Sequence, residues 1–164
     1  MTRLADMPEF VLGALAGRAD ADWYRAPSGK WCAAQIVQHL AISFDSCART
    51  FEARRGHAPM RRRRRSPREL AGYALVMYAG WSPGVDAPAA VRPAEHPERD
   101  AVTRQLRNAV ARFVALEREL LPARRADLFV KHPALGDLTY PEWVRFHRWH
   151  CAHHTRQIRA RLAS

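Results

Sequence analysis

The sequence predicts an all-α fold: a four-helix bundle with one long crossover and a short extra helix. Three observations predict it. Strand signals are nearly absent, with no sustained alternation of apolar and polar residues and no Asn-Gly or Asp-Gly hairpin. Helix-start signals recur, each followed by an apolar stripe at three- and four-residue steps. One proline-punctuated stretch separates the stripes. At 164 residues and 48% hydrophobic content the chain reads as one domain over residues 1–164, with a core large enough to fold unaided.

Asp6-Met7-Pro8-Glu9 reads as an N-cap with Pro in the first turn and Glu at the third helical position, opening a helix to about Ala19. Phe10, Val11 and Ala14 form its apolar stripe. The second helix runs from near Cys32 to about Arg55, with Ile36, Val37, Leu40, Phe44, Cys47 and Phe51 on one face and Gly56 as the C-cap candidate. Ser66-Pro67-Arg68-Glu69 is a capping box for a short helix to about Tyr78. From Gly80 to Pro97, Pro83, Pro88, Pro93 and Pro97 exclude a regular helix and make this the crossover. The third long helix spans about Glu98 to Leu121, striped by Val102, Leu106, Val110, Phe113, Leu116 or Glu117, and Leu120, and ended by Pro122. Gly136-Asp137 reads as a turn, and Thr139-Tyr140-Pro141-Glu142 as the capping box of a last helix to about Leu162. Four long helices with one long crossover give the bundle.

Composition narrows the function classes. No apolar run approaches the roughly 20 residues of a membrane span, and the Met1-Thr2-Arg3-Leu4 start has no signal-peptide pattern, so a cytoplasmic protein without a membrane partner is expected. Cys32, Cys47 and Cys151 form no CxxC pair and read as reduced thiols that pack as small hydrophobes. The net charge of +11 raises nucleic acid as a partner. All but Lys30 and Lys131 of the 27 basic residues are Arg, however, a skew that matches GC-rich coding better than phosphate recognition. The run Arg61 to Arg65 lacks interleaved aromatics for base stacking and reads as solvated charge. On that reading nucleic acid is not the partner, and replacing all five arginines by Ser leaves folding and metal content intact.

The histidines carry the chemistry. Of eight, five crowd the C-terminal part: His132, His147, His150, His153 and His154. At about 100° per residue from Trp143, His154 falls near +20°, His150 near −20° and His147 near +40°, with His153 about 80° to the side. His150 and His154 therefore sit one turn apart in the middle of the core-facing stripe, close enough to share a metal. The alternative is a pair of core histidines hydrogen-bonded to backbone or carboxylates. His39 lies at the edge of the second helix's stripe, where a lone His is more often structural than a ligand.

Gly29-Lys30-Trp31 and His39-Leu40, followed far downstream by His150-Cys151-Ala152-His153-His154-Thr155-Arg156-Gln157-Ile158, resemble the DinB-like superfamily, also called the YfiT-like metal-dependent hydrolases. That superfamily places one metal His on its second helix after a Trp and two on its last helix as His-x-x-x-His, often followed by Arg-x-Gln-Ile. The resemblance implies a divalent-metal triad of His39, His150 and His154. His132 through Trp143, and the crossover from Pro83-Gly84 to Pro93, are similar to a largely uncharacterised branch of the superfamily.

Three His ligands leave an open coordination position, the arrangement of a reactive site, and imidazole admits Zn, Ni, Co or Fe. Characterised relatives include S-transferases that use low-molecular-weight thiols and a thiol-dependent maleylpyruvate isomerase. The resemblance thus implies thiol transfer or isomerisation acting on a small electrophile, ahead of metal-assisted hydrolysis. His147, on the metal-facing side, is a candidate proton donor, supporting partner or alternative ligand. His132 and Trp143 are candidates to border the pocket or to pack, and Gln157 and Arg156 to orient a ligand. The competing class is a non-catalytic bundle, stabilised by its metal or forming a homodimer.

Overall fold

The computed structural model describes residues 3–58, 61–80, 87–120, 125 and 128–163. Among these the chain forms six α-helices and one two-stranded hairpin: α1 (Met7–Leu12), α2 (Asp20–Tyr24), α3 (Ala33–Arg54), α4 (Pro67–Ala74), α5 (Arg99–Glu119), β1 (Phe129–His132), β2 (Gly136–Thr139) and α6 (Tyr140–Leu162). The all-α bundle expected from the sequence is the architecture found. The proposed end of the third helix at Leu121-Pro122 and the Pro83-Gly84 part of the crossover lie outside the described residues.

The stripes do what their spacing requires. On α3, Ile36, Val37, Leu40, Phe44, Cys47 and Phe51 are all buried, and so are Val102, Leu106, Val110, Phe113 and Leu116 on α5 and Leu120 at its C-cap. Of the alternatives Leu116 and Glu117, Leu116 is the inward one. Phe44, Phe51 and Phe113 meet edge to face in the middle of this interface, an arrangement that adds to the energy of their burial. The three cysteines are free and buried, and burial pushes the Cys151 thiol up to about 12.

Four local expectations are corrected. The first helix is α-helical only over Met7–Leu12, with single 3-10 turns on both sides, and the chain turns away at Gly17, whose φ is +70°. Asp6 is its N-cap without capping it, because its carboxylate accepts from the Arg3 guanidinium instead. Gly56 does not close α3 in a left-handed conformation; positive φ among the described residues belongs to Gly17, Gly29, Gly80 and Gly136. Gly136-Asp137 is not the turn but the start of β2: the turn is residues 133–135, and Gly136 follows it at φ +77°. That is a three-residue hairpin loop followed by a left-handed glycine, and it pairs His132 with Gly136 and Phe129 with Thr139.

The fourth correction concerns the arginine run, which is solvated only in part: Arg61, Arg63 and Arg64 are exposed, while Arg62 and Arg65 are half-buried. Arg62 and Arg65 both donate to Glu142 Oε1, at 2.6 and 3.2 Å, and Arg63 forms an ion pair with Asp137. Arg62 and Arg65 also donate to the Asp137 carbonyl. These bonds tie the run to the hairpin and to the first turn of α6. Glu142 is at the same time the third residue of the Thr139 capping box, whose reciprocal bonds are both present. The Ser66 box on α4 is also present, and α4 ends in a π turn, Leu75–Ala79, capped by left-handed Gly80. Gly72 lets α4 reach the hairpin: a Cβ there would lie 2.8 Å from the Ala134 carbonyl oxygen. No helix among the described residues is long and apolar enough to cross a membrane.

Candidate metal centre

Two long helices and the crossover build the centre. α3 contributes His39, four residues before Ser43 and next to buried Leu40; α6 contributes His150 and His154, one turn apart. All three imidazoles are buried, at 4%, 9% and 8% exposure, so a ring nitrogen lacking a partner there cannot fall back on bulk water. His39 Nε2 lies 3.1 Å from His150 Nε2, and His154 Nε2 lies 2.9 Å from the same atom. The ligand atoms of all three fall within 4.8 Å of one another.

The outer nitrogens decide where the protons sit. His39 Nδ1 is 2.7 Å from the Val91 carbonyl, and His154 Nδ1 is 2.8 Å from Gln157 Oε1. Both oxygens only accept, so both rings carry their hydrogen on Nδ1 and turn a bare Nε2 lone pair toward His150. His150 Nε2 can donate to at most one of them. If His150 is instead protonated at Nδ1, three lone pairs meet head on. Burial first, and then the neighbouring imidazoles, hold His150 far below the ordinary imidazole range. Burial and His39 also bring His154 down to about 3. Protonation therefore does not resolve the conflict near neutral pH.

A buried acceptor without a donor costs about 1–3 kcal/mol. A cation at the meeting point satisfies all three at once. Two imidazole nitrogens bound tetrahedrally at about 2.0–2.1 Å lie about 3.3 Å apart, close to the spacings seen here. The donor set therefore fits a divalent metal. Among the described residues no carboxylate or thiolate joins the group, so the protein would supply three neutral ligands.

Aromatic rings wall the centre: Trp31 lies 5.0 Å from the His39 ring, Phe146 lies 5.1 Å from His150, and Trp149 is stacked on His150 at 6.3 Å. The DinB superfamily model matches residues 3–158 of this sequence, a span that holds every one of these residues. The chain belongs to the DinB superfamily. No curated protein and no solved structure matches it. The histidine pattern that suggested this DinB membership is the pattern the fold gathers into one group.

Other candidate residues are placed elsewhere. His147 is fully buried, stacked on Phe44 at 3.9 Å and edge-on to Phe113 at 4.9 Å. Neither of its ring nitrogens has a hydrogen-bond partner among the described residues, and burial, with His132 second, lowers it to about 3. It is outside the three-nitrogen group. His132, the last residue of β1, packs against Trp143: His132 Nδ1 accepts from the Ala134 amide, and the Trp143 indole donates to the Val130 carbonyl. Gln157 reaches His154, while Arg156 is exposed. Sequence reasoning missed the Val91 carbonyl, because a backbone oxygen leaves no trace in residue identity. It also missed Trp149, whose only signal was its place beside His150.

Proposed function

We propose that this DinB protein holds one divalent metal through Nε2 of His39, His150 and His154 and uses it in thiol-dependent transfer or isomerisation of a small electrophile. The observation that carries the reading is the convergence of three buried Nε2 atoms, two of them fixed as lone pairs by their outer hydrogen bonds. When bound, the ion supplies an open coordination position and Lewis acidity that favours the deprotonated form of a thiol or water at neutral pH. Zinc, nickel and iron all suit imidazole ligands.

The chain's own residues prepare that position. The Val91 carbonyl and Gln157 hold two ligands in their donor tautomers, and Trp31, Phe146 and Trp149 keep water from the rings. His147, one helical turn before His150, supports the packing behind the ligands and is in this reading not itself a ligand. Three buried free thiols suit a reducing compartment such as the cytoplasm.

A second reading is a non-catalytic bundle in which the metal only ties α3 to α6. It is favoured by one observation: all three ligands are themselves core residues. The cobalt(II) form separates the two. A low-molecular-weight thiol should change its visible spectrum in a saturable way if the metal is open to ligands; a spectrum unmoved by any thiol tested supports the structural role.

A further inference from the structure

His39 and His154 reach their donor tautomers by unlike means. His39 is held by the Val91 carbonyl, a group that can only accept. His154 is held by a side-chain amide, which has an accepting end and a donating end. Gln157 Oε1 lies 2.8 Å from His154 Nδ1, and Gln157 Nε2 lies 3.1 Å from His153 Nε2. Turned over, the same amide would offer N–H to His154 Nδ1. The ring hydrogen of His154 would then move to Nε2 and close the lone pair that faces His150.

The donating end of the amide faces His153: Gln157 Nε2 lies 3.1 Å from His153 Nε2, and the His153 ring is stacked against Trp149 at 5.2 Å. The spacing explains why these three residues meet: Gln157 is four residues after His153 and three after His154, so both rings lie one turn below its side chain. His153 was placed toward the edge of the stripe by periodicity, and its half-buried position there is what lets it reach Gln157 and leave the three-nitrogen group to the others.

We propose that Gln157 is a positioning residue that locks His154 as the Nδ1–H tautomer, with His153 setting which way round its amide points. For its effect on metal binding this rests on the metal reading above. The tautomer itself is a property of the metal-free protein, so the two are tested separately. His154 is thereby the one ligand whose donor state depends on a reversible side chain. Outer partners of this kind are worth about 10–100-fold in metal affinity.

The experiment compares wild type with Gln157→Leu, Gln157→Glu and His153→Ala. Nitrogen-15 NMR of the histidine rings in the metal-free proteins reports the tautomer, and zinc titration against a chromogenic chelator reports affinity. Wild type should show His154 as Nδ1–H. Gln157→Leu should show a mixture and bind zinc about 10–100-fold more weakly. Gln157→Glu keeps the acceptor and should restore both readouts; His153→Ala should show part of the loss. The proposal is overturned if Gln157→Leu keeps wild-type affinity and tautomer, or if Gln157→Glu is as weak as Gln157→Leu. Wild type that takes up no zinc defeats the metal reading, and the NMR comparison alone then decides the role of Gln157.

Discussion

Two polar networks sit on α6, one at its first turn and one farther along, and they differ in completeness. At the first turn, Glu142 Oε1 accepts from Arg62, Arg65 and the Tyr73 hydroxyl, and Oε2 accepts from the Thr139 amide and hydroxyl. Asp137 next to it accepts from Arg63. Each of the two carboxylates has an opposite charge and several donors. At the triad the same helix presents nitrogens with lone pairs aimed at one another, and His150 Nδ1 has no partner among the described residues. A satisfied network stabilises by itself; the triad, short of a cation, has a donor set that fits one. The difference separates a structural clamp from a candidate site.

The largest effect that would break this contrast is at the triad. Divalent metal at about 100-fold over its dissociation constant should stabilise the wild-type fold by about 2.7 kcal/mol. For a chain of this length that is a rise in thermal midpoint of about 5–10 °C. His150→Ala should show no such rise, while Glu142→Gln should show all of it. A melting curve of each, with and without zinc, makes the comparison.

His147 is the next test. Removing its ring from between Phe44 and Phe113 should cost about 2–4 kcal/mol through the cavity left behind, yet the metal should stay bound. His147→Phe should recover most of that stability. Metal content of the purified Ala variant checks the assignment, and a metal-free variant that is still folded would make His147 a ligand.

The clamp should respond in the opposite way. Replacing Arg62 and Arg65 by Ser strips Glu142 of its cations, and a cost of about 1–3 kcal/mol is expected in chemical denaturation, with zinc affinity unchanged. Acid should act through the same groups. Burial alone would raise the Glu142 carboxyl, but Arg62, the Thr139 amide and Tyr73 outweigh it and hold it at about 2. Arg63 first, and against the effect of burial, lowers Asp137 as well. Folded values below unfolded ones mean a contribution that is complete above about pH 4.5 and fades as pH falls toward 2. Stability measured across that window should decline, and Glu142→Gln should flatten the decline.

Much of this was legible in the sequence, and the misses have a common cause. The α3 and α5 stripes and the two capping boxes are local patterns, and they hold residue by residue. His150 and His154 are one turn apart on one helix, so their pairing needed only periodicity. His39 is 111 positions from His150, and only the family resemblance connected them. The partners of the arginine run lie 70–80 residues away, which is why the sequence did not show that Arg62, Arg63 and Arg65 pair with carboxylates of the hairpin and α6. The hairpin itself escaped because each strand has four residues, too few for alternation to show. His147 shared the face of the ligands as periodicity said, but no periodicity shows that Phe44 stacks over it.

Metal analysis of protein purified without an affinity tag tests the central claim most directly, using wild type beside His39→Ala, His150→Ala and His154→Ala. One equivalent of a divalent ion per chain, carried or taken up by wild type and lost in each of the three variants, is the result predicted. Wild-type protein that holds no equivalent of zinc, nickel or iron after reconstitution, or a variant that keeps its full equivalent, would contradict it.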